Sequence, residues 1–274
     1  MFDSHVHAAP DVLDRIGDDG DIARSFVDAG DEGFVLKAHY ESTVGRAHAV
    51  SKETGLRVFG GIALNQHCGG VNPSAVAAAL HSGGRVVWMP TADSHTQQAA
   101  GLPRLCHSEP RSGIECYALP PVDISTHPSA ESVLELIAVH DAVLATGHVS
   151  GEECRWLLDR ADHYGIKRVL LTHPSYTVPG LSPSEIGELA ARGGYVEITS
   201  YQLLHQPGCS PELLAAVAQS AGDRLVLSSD AGQPDSPVPP EALRLLVETL
   251  ASQGVDLGRL NVASGEVPLR LFAP

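Results

Sequence analysis

The chain has few cysteines, few aromatic residues and little positive charge. Its five cysteines are scattered and include no Cys-x-x-Cys pair, a pattern that favours reduced thiols over a disulfide framework. Lysine and arginine number 18 against 33 acidic residues, so the formal net charge is −15. Because this charge repels phosphate backbones and anionic lipid, we expect neither nucleic acid nor a membrane as a partner.

Long hydrophobic runs are also lacking. No stretch approaches the roughly 18 continuous apolar residues that cross a bilayer, and the segment 1–5 has neither the basic nor the apolar region of a signal peptide. We therefore predict a cytoplasmic protein. With 274 residues, 43% of them hydrophobic, the chain can form one α/β barrel or two smaller domains.

Short apolar runs alternate with segments of helical periodicity along the whole sequence. The predicted strands are Phe2–Val6, Gly33–Lys37, Arg57–Leu64, Arg85–Met89, Ala142–Thr146, Arg168–Thr172, Tyr195–Thr199 and Arg224–Ser228. The predicted helices are Asp21–Ala29, Gly45–Thr54, Pro73–His81, Ala130–His140, Gly151–Tyr164, Ser182–Arg192, Pro211–Ala221 and Pro239–Ser252. Eight such units in this length predict a (β/α)8 TIM barrel that forms a single domain over residues 1–274.

A doubly wound open sheet is the alternative fold. Candidate polar groups follow strands one, two, four, five, six and eight, and only a closed ring brings such separated strand ends together. One connection exceeds the usual length. We expect residues 92–128, which are rich in proline, to form a long insertion after the fourth strand that serves as a lid over the barrel mouth.

Potential metal ligands follow four of the predicted strands. His5 and His7 are two residues apart on an extended strand, so both imidazoles point to the same side. His148, His173 and Asp230 each come directly after another apolar run. In a barrel these positions meet at one mouth. Four imidazoles and a carboxylate suit Zn²⁺, with Mn²⁺, Fe²⁺ or Ni²⁺ as alternatives.

Such a site would lower the pKa of a bound water from about 15.7 toward about 7. Asp230 is then the natural general base, because it can take the proton from the attacking water and pass it to the leaving group.

This ligand order resembles that of the amidohydrolase superfamily: His-x-His on strand one, histidines on strands five and six, and an aspartate on strand eight. The resemblance implies that His5, His7 and Asp230 hold the more buried metal. It also implies that His148 and His173 hold a second metal, or divide between ligand and substrate polariser, so that His173 joins Asp230 among the catalytic residues.

The sequence departs from the binuclear members of that superfamily at one position. Those members bridge two metals with a modified lysine or a glutamate after strand three or four, and strand four here ends without either. Lys37 instead ends strand two. In a barrel mouth it could act as a ligand bridge modified by CO₂, as a nucleophile or as a clamp for a substrate anion. One metal ion or two therefore both fit the sequence.

Further polar residues follow the strands and are candidates for substrate binding. These are Lys37, His39, Asp93, His95 and Tyr176. An aromatic content of 5% argues against a wide stacking cleft, so we expect a small polar or anionic metabolite as substrate. The sequence leaves open whether the chain forms a homo-oligomer.

The favoured function is a metal-dependent hydrolase that acts on an amide, lactone, cyclic imide or related bond. A metal-dependent nonoxidative decarboxylase and a phosphoesterase are the alternatives among enzymes. A metal-binding regulatory barrel without turnover is the alternative outside them.

Overall fold

Eight parallel strands follow one another around one sheet in chain order. The structure is a computed structural model that describes residues 1–102 and 116–274. The strands are β1 (Phe2–Val6), β2 (Gly33–Leu36), β3 (Arg57–Ala63), β4 (Val86–Trp88), β5 (Val143–Ala145), β6 (Val169–Leu171), β7 (Tyr195–Thr199) and β8 (Leu225–Ser228). Just beyond β8, the N–H of Asp230 donates to the carbonyl of His5 at 2.9 Å, and the N–H of His7 donates to that of Ala231 at 2.9 Å. These bonds close the barrel, and the predicted (β/α)8 fold is confirmed.

Helices surround the barrel between successive strands. They are α1 (Asp19–Ala29), α2 (Val44–Thr54), α3 (Pro73–His81), α4 (His95–Ala99), α5 (His127–Val139), α6 (Gly151–Tyr164), α7 (Pro183–Ala191), α8 (Ser200–His205), α9 (Pro211–Ala221), α10 (Pro239–Ser252), α11 (Leu257–Ala263) and α12 (Glu266–Phe272). Side-chain caps fix several of their starts: Asp18, Ser150 and Ser182 each complete a capping box. In the described part of the chain, no helix is long and apolar enough to cross a membrane.

Side chains alternate between the two faces of each strand. In β4, Val86 and Trp88 belong to the inner core of the barrel, whereas Val87 packs outward among the residues that face the helices. Helix α12 closes the amino-terminal end of the inner core with Leu271 and Phe272. The inside is therefore apolar at the bottom, and polar side chains concentrate at the carboxyl ends of the strands.

An irregularity in β1 aims the two leading histidines into the barrel. Asp3 is the partner of Phe34, but the next aligned pair is Val6 with Leu36, so β1 carries one extra residue between the two pairs. Beyond this bulge Val6 packs outward, in the cluster that covers α1. His5 and His7 therefore face the barrel interior.

The insertion after β4 differs from its predicted bounds. It contains the short helix α4, and α5 already begins at His127, where a turn of 3₁₀ helix (Ile124–Thr126) leads directly into it. The loop therefore ends earlier than residue 128. Residues 103–115, at the centre of the predicted lid, lie outside the described residues.

Candidate metal centre

Five buried histidines form a closed circle at the carboxyl end of the barrel. The ring centroids of neighbouring members are 5.0 to 6.2 Å apart around the circle. In order, the members are His5, His7, His39, His148 and His173. Burial lowers the pKa of every member, to about 3 for His5 and about 4 for His173. At neutral pH this five-histidine cluster therefore presents uncharged imidazoles, the form that binds a metal.

Two members of the cluster face one carboxylate oxygen. Asp230 Oδ1 lies 3.1 Å from Nε2 of His5 and 3.2 Å from Nε2 of His7. Ligand atoms that bind one Zn²⁺ tetrahedrally at 2.0–2.1 Å are about 3.3 Å apart. The three atoms thus have the mutual spacing of ligands around one cation.

A buried glutamate fixes the orientation of His5. Both carboxylate oxygens of Glu197, in β7, lie 3.2 to 3.3 Å from His5 Nδ1. The same carboxylate accepts a bond from the Ser228 hydroxyl at 2.8 Å and one from the backbone N–H of His173 at 3.2 Å. Because Glu197 acts as an acceptor in all of these contacts, His5 carries its proton on Nδ1. Its Nε2 lone pair then points at Asp230.

The protonation of His5 indicates whether a cation fits between His5, His7 and Asp230. Neutral His5 presents a lone pair, not a proton, to the negative oxygen of Asp230, and His7 presents a second Nε2 to that oxygen. The Lys37 ammonium lies 3.0 Å from His5 Nε2 and offers it one proton. A divalent cation among His5, His7 and Asp230 would bind both Nε2 atoms and the carboxylate oxygen, so the donor set fits a metal ion of the zinc type.

Glu197 could also serve as a ligand. Its oxygens, one ring nitrogen of His5 and one of His173 lie within 4.8 Å of one another, as do the ligand atoms of His5, His7 and Asp230. However, three donors already occupy the Glu197 carboxylate. We therefore assign Glu197 to holding His5 and His173 in place, which is the arrangement often found behind metal-bound histidines.

Two candidate ligands occupy strained backbone positions. Within the described residues, positive φ outside glycine occurs at Asp141, His173 (25°) and Asp230 (51°). Such conformations cost about 1 to 3 kcal/mol and persist where the surrounding structure enforces them. Here the strain turns both side chains from the ends of their strands into the same cavity.

His148 completes the circle opposite His5. Its Nδ1 lies 2.8 Å from Oε1 of Gln97, a residue of α4, so Nδ1 carries the proton. The preceding Gly147 has φ +65°, and a Cβ there would lie 2.3 Å from the carbonyl oxygen of Met89. Only glycine permits this turn. His148 is nevertheless not part of either ligand triplet, so its role at a second metal stays a prediction.

Lys37 is buried beneath the cluster, with 1% of its surface exposed. Its ammonium lies 5.6 Å above the ring of Trp88 and 3.0 Å from His5 Nε2. Burial lowers the pKa of Lys37, while the carboxylates of Asp230 and Glu197 oppose that effect. The structure thus places Lys37 beside His5 at the cavity, and its role there stays a prediction.

The other candidates for substrate binding divide into two groups. His39 and Tyr176 line the same cavity as the cluster, and the ring centroids of Tyr176 and His173 are 4.7 Å apart. Asp93 is buried to one side, where it accepts bonds from the Gln66 N–H and the Tyr40 hydroxyl and so ties loops together. His95 is exposed at the start of α4. The structure therefore does not bring Asp93 or His95 into the site.

Sequence reasoning missed three residues of the site. Glu197 carries a signal in hindsight: it is a charge at an inward position of the apolar strand Tyr195–Thr199. Gln97 and Arg15 belong to connections after β4 and β1 and carry no such pattern. Both line the cavity, which is open to solvent at the barrel mouth.

The fold is that of known hydrolases. A probable 2-pyrone-4,6-dicarboxylic acid hydrolase from Acinetobacter baumannii aligns over 100% of this chain and 99% of its own (12% identity, TM-score 0.64). An organophosphorus hydrolase from Deinococcus radiodurans aligns over 100% and 92% (16% identity, TM-score 0.61). An amidohydrolase from Pseudomonas aeruginosa aligns over 99% and 97% (13% identity, TM-score 0.61). At these identities the likeness shows that the chain shares their barrel fold.

Sequence comparison assigns the chain to a family. The search of curated proteins gave no match. A family model described as a family of unknown function (DUF6282) matches residues 1–197, a span that holds β1 to β6, the start of β7 and every candidate ligand except Asp230. The chain therefore belongs to the DUF6282 family and shares the barrel fold of these three structures.

Proposed function

We propose that this protein is a metal-dependent hydrolase that uses an activated water to open a lactone or a related bond of a small polar metabolite. The observation that carries the proposal is the convergence of Nε2 of His5, Nε2 of His7 and Oδ1 of Asp230. Two uncharged imidazoles and a carboxylate oxygen that converge on one point form a donor set suited to a divalent cation.

His5, His7 and Asp230 would hold this cation, with Zn²⁺ as the first choice. When bound, the cation would lower the pKa of a water molecule toward about 7 and polarise the bond under attack. Glu197 keeps His5 in the tautomer that offers Nε2.

Asp230 would act as general base. Its carboxylate lines the cavity, so a water there can reach it. It would accept the proton of the attacking water and return it to the leaving oxygen. His173, uncharged because burial lowers its pKa to about 4, would be placed to polarise the bond through an N–H.

The names of two structural neighbours support a choice of bond type. A 2-pyrone is a cyclic ester, and the name of the Acinetobacter protein describes hydrolysis of such a ring. We therefore place a lactone first and an amide or cyclic imide after it. A phosphoester is the second candidate, because the Deinococcus neighbour is named an organophosphorus hydrolase.

The test uses protein loaded with zinc and a panel of small lactones, cyclic imides and phosphotriesters, with acid release followed at constant pH. We expect turnover of at least one lactone, and a loss of about 10² to 10⁴-fold in kcat in Asp230→Asn. Asp28→Asn, at an exposed position of α1, is the matched control and should behave as wild type. Turnover confined to phosphotriesters would favour the second candidate. No turnover, or near-normal turnover in Asp230→Asn, would contradict the proposal.

A further inference from the structure

A buried arginine lines the cavity without a role in holding the cation. Arg15 lies in the loop between β1 and α1, and 2% of its side chain is exposed. Its Nε donates to one oxygen of Asp11 at 2.8 Å, and its Nη2 forms an ion pair with the same oxygen at 2.6 Å. Within the described residues Nη1 has no hydrogen-bond partner. Asp11 thus fixes the plane of the guanidinium and leaves part of its donor edge uncommitted.

The charge on the cavity wall is opposite to that of the whole chain. The protein carries a formal charge of −15. Among the described residues that line the cavity, however, Lys37 and Arg15 are the cations and Asp230 is the one carboxylate. A bound divalent cation would add to this excess. Asp11 offsets the charge of Arg15 from behind the wall, so a bound cation would give the cavity the net positive charge that attracts anions.

The same cavity also offers uncharged donors. Tyr176 and Tyr201 both line it, with their rings 6.2 Å apart. Burial raises the pKa of both phenols, so each keeps its proton at neutral pH and can donate a hydrogen bond to an anion. Arg15 is therefore one member of a wall built of donors.

We propose that Arg15 binds a carboxylate of the substrate, so that the preferred substrate is a lactone or related compound that carries a free carboxylate away from the bond that is cleaved. A guanidinium presents parallel N–H donors in the geometry of a carboxylate, and a side chain already fixed by Asp11 loses little entropy on binding. The reactive bond in this assignment rests on the proposed hydrolase function. The binding of a carboxylate by Arg15 does not.

The kinetic test compares a lactone that bears a carboxylate with its methyl ester, using zinc-loaded protein. In Arg15→Gln we expect the ratio of kcat/KM for acid over ester to fall about 10- to 100-fold, the range for a hydrogen bond to a charged group. Arg24→Gln removes an exposed arginine of α1 that pairs with Asp21 and is the matched control. In the control the ratio should not change.

A second variant guards against misfolding, because Arg15→Gln leaves the buried Asp11 without its partner. The pair Asp11→Asn with Arg15→Gln removes both charges and should reduce the ratio to the same degree. An equal loss for acid and ester in both variants would overturn the assignment. A second result would also overturn it: a phosphorylated analogue with a higher kcat/KM than the carboxylated one, where Arg15→Gln removes that preference.

A binding measurement separates this inference from the proposed function. Glutarate is titrated calorimetrically into the zinc-loaded wild type and variants, with no reaction required. We expect at least tenfold weaker binding in Arg15→Gln and unchanged binding in Arg24→Gln. If no lactone is turned over but this difference appears, the hydrolase proposal fails and the carboxylate site stands. Equal glutarate affinity in wild type and Arg15→Gln would overturn the site.

Discussion

Replacing Glu197 by glutamine changes the acceptor behind His5 while keeping the side-chain shape. The carboxylate of Glu197 accepts bonds from His5 Nδ1, the Ser228 hydroxyl and the His173 N–H. An amide has a single acceptor oxygen for these three donors, and its NH₂ group is itself a donor. Glutamine therefore leaves one donor unsatisfied, or it turns His5 to the tautomer with the proton on Nε2.

The expected size of the effect follows from those contacts. Loss of the acceptor behind a metal-bound histidine typically weakens metal binding by about 10- to 100-fold. This corresponds to about 1.4 to 2.7 kcal/mol. A proton on Nε2 would block one of the three ligand atoms of the proposed centre, so we expect Glu197→Gln to fall toward the upper end of the range.

The assay is a competition for Zn²⁺ between the protein and a fluorescent chelator. Glu188→Gln, at an exposed position of α7, is the matched control and should keep the affinity of wild type. The ¹⁵N shifts of the His5 ring in metal-free protein report the tautomer independently. A Zn²⁺ dissociation constant within twofold of wild type, with His5 still protonated on Nδ1, would refute the reasoning.

Two further predictions concern stability. Burial lowers the pKa of all five cluster histidines below the ordinary 6.5, so as pH falls from about 6.5 to 4 the unfolded chain binds protons that the folded chain does not. Burial raises the pKa of Asp3, to about 7, and that of Glu197. These two carboxyl groups have the opposite effect on stability, but they are fewer than the five histidines. Urea unfolding of metal-free protein should therefore give a lower free energy of unfolding at pH 5 than at pH 7, and an equal or higher value would contradict this assignment. Gly147→Ala should lower the free energy of unfolding by about 2 to 4 kcal/mol, because at positive φ its Cβ would overlap the carbonyl of Met89. Gly165→Ala also has positive φ but no atom within 4 Å of its Cβ, so it should lower that free energy by about 1 kcal/mol. Equal losses in the free energy of unfolding for the two variants, measured by urea unfolding, would contradict the described backbone turn at Gly147.

The fold could be predicted because a parallel barrel leaves a strong trace in sequence. Each strand is buried on both faces and is therefore a short apolar run, and most strand bounds agree with prediction to within one or two residues. Longer helices carry caps and an apolar stripe, as α6 does with Ser150 at its start and Gly165 at its end. The short helices α4 and α8 have too few turns to show a period, and neither was predicted.

The site could be predicted where it follows the geometry of strand ends. His5, His7, His173 and Asp230 meet because every strand of a parallel barrel ends at the same mouth. The same rule also predicted His95 at this mouth, but the structure places its side chain on the surface. After β4 a short connection leads into α4, where His95 is exposed and Gln97 lines the cavity.

Residues within a strand and in long loops escaped prediction for different reasons. Glu197 lies inside β7 and not after its end, so a rule based on strand ends does not predict it. Arg15 reaches the cavity from the β1–α1 loop only through its pairing with Asp11, a contact that depends on the folded path of that loop. Neither contact can be read from spacing alone.

The most direct test of the account is anomalous X-ray scattering at the zinc absorption edge, from crystals of the protein grown with Zn²⁺. The account predicts a strong peak within bonding distance of His5 Nε2, His7 Nε2 and Asp230 Oδ1, with Glu197 still accepting the proton of His5 Nδ1. A zinc peak away from these three atoms, or no peak in the barrel mouth of fully folded protein, would contradict it.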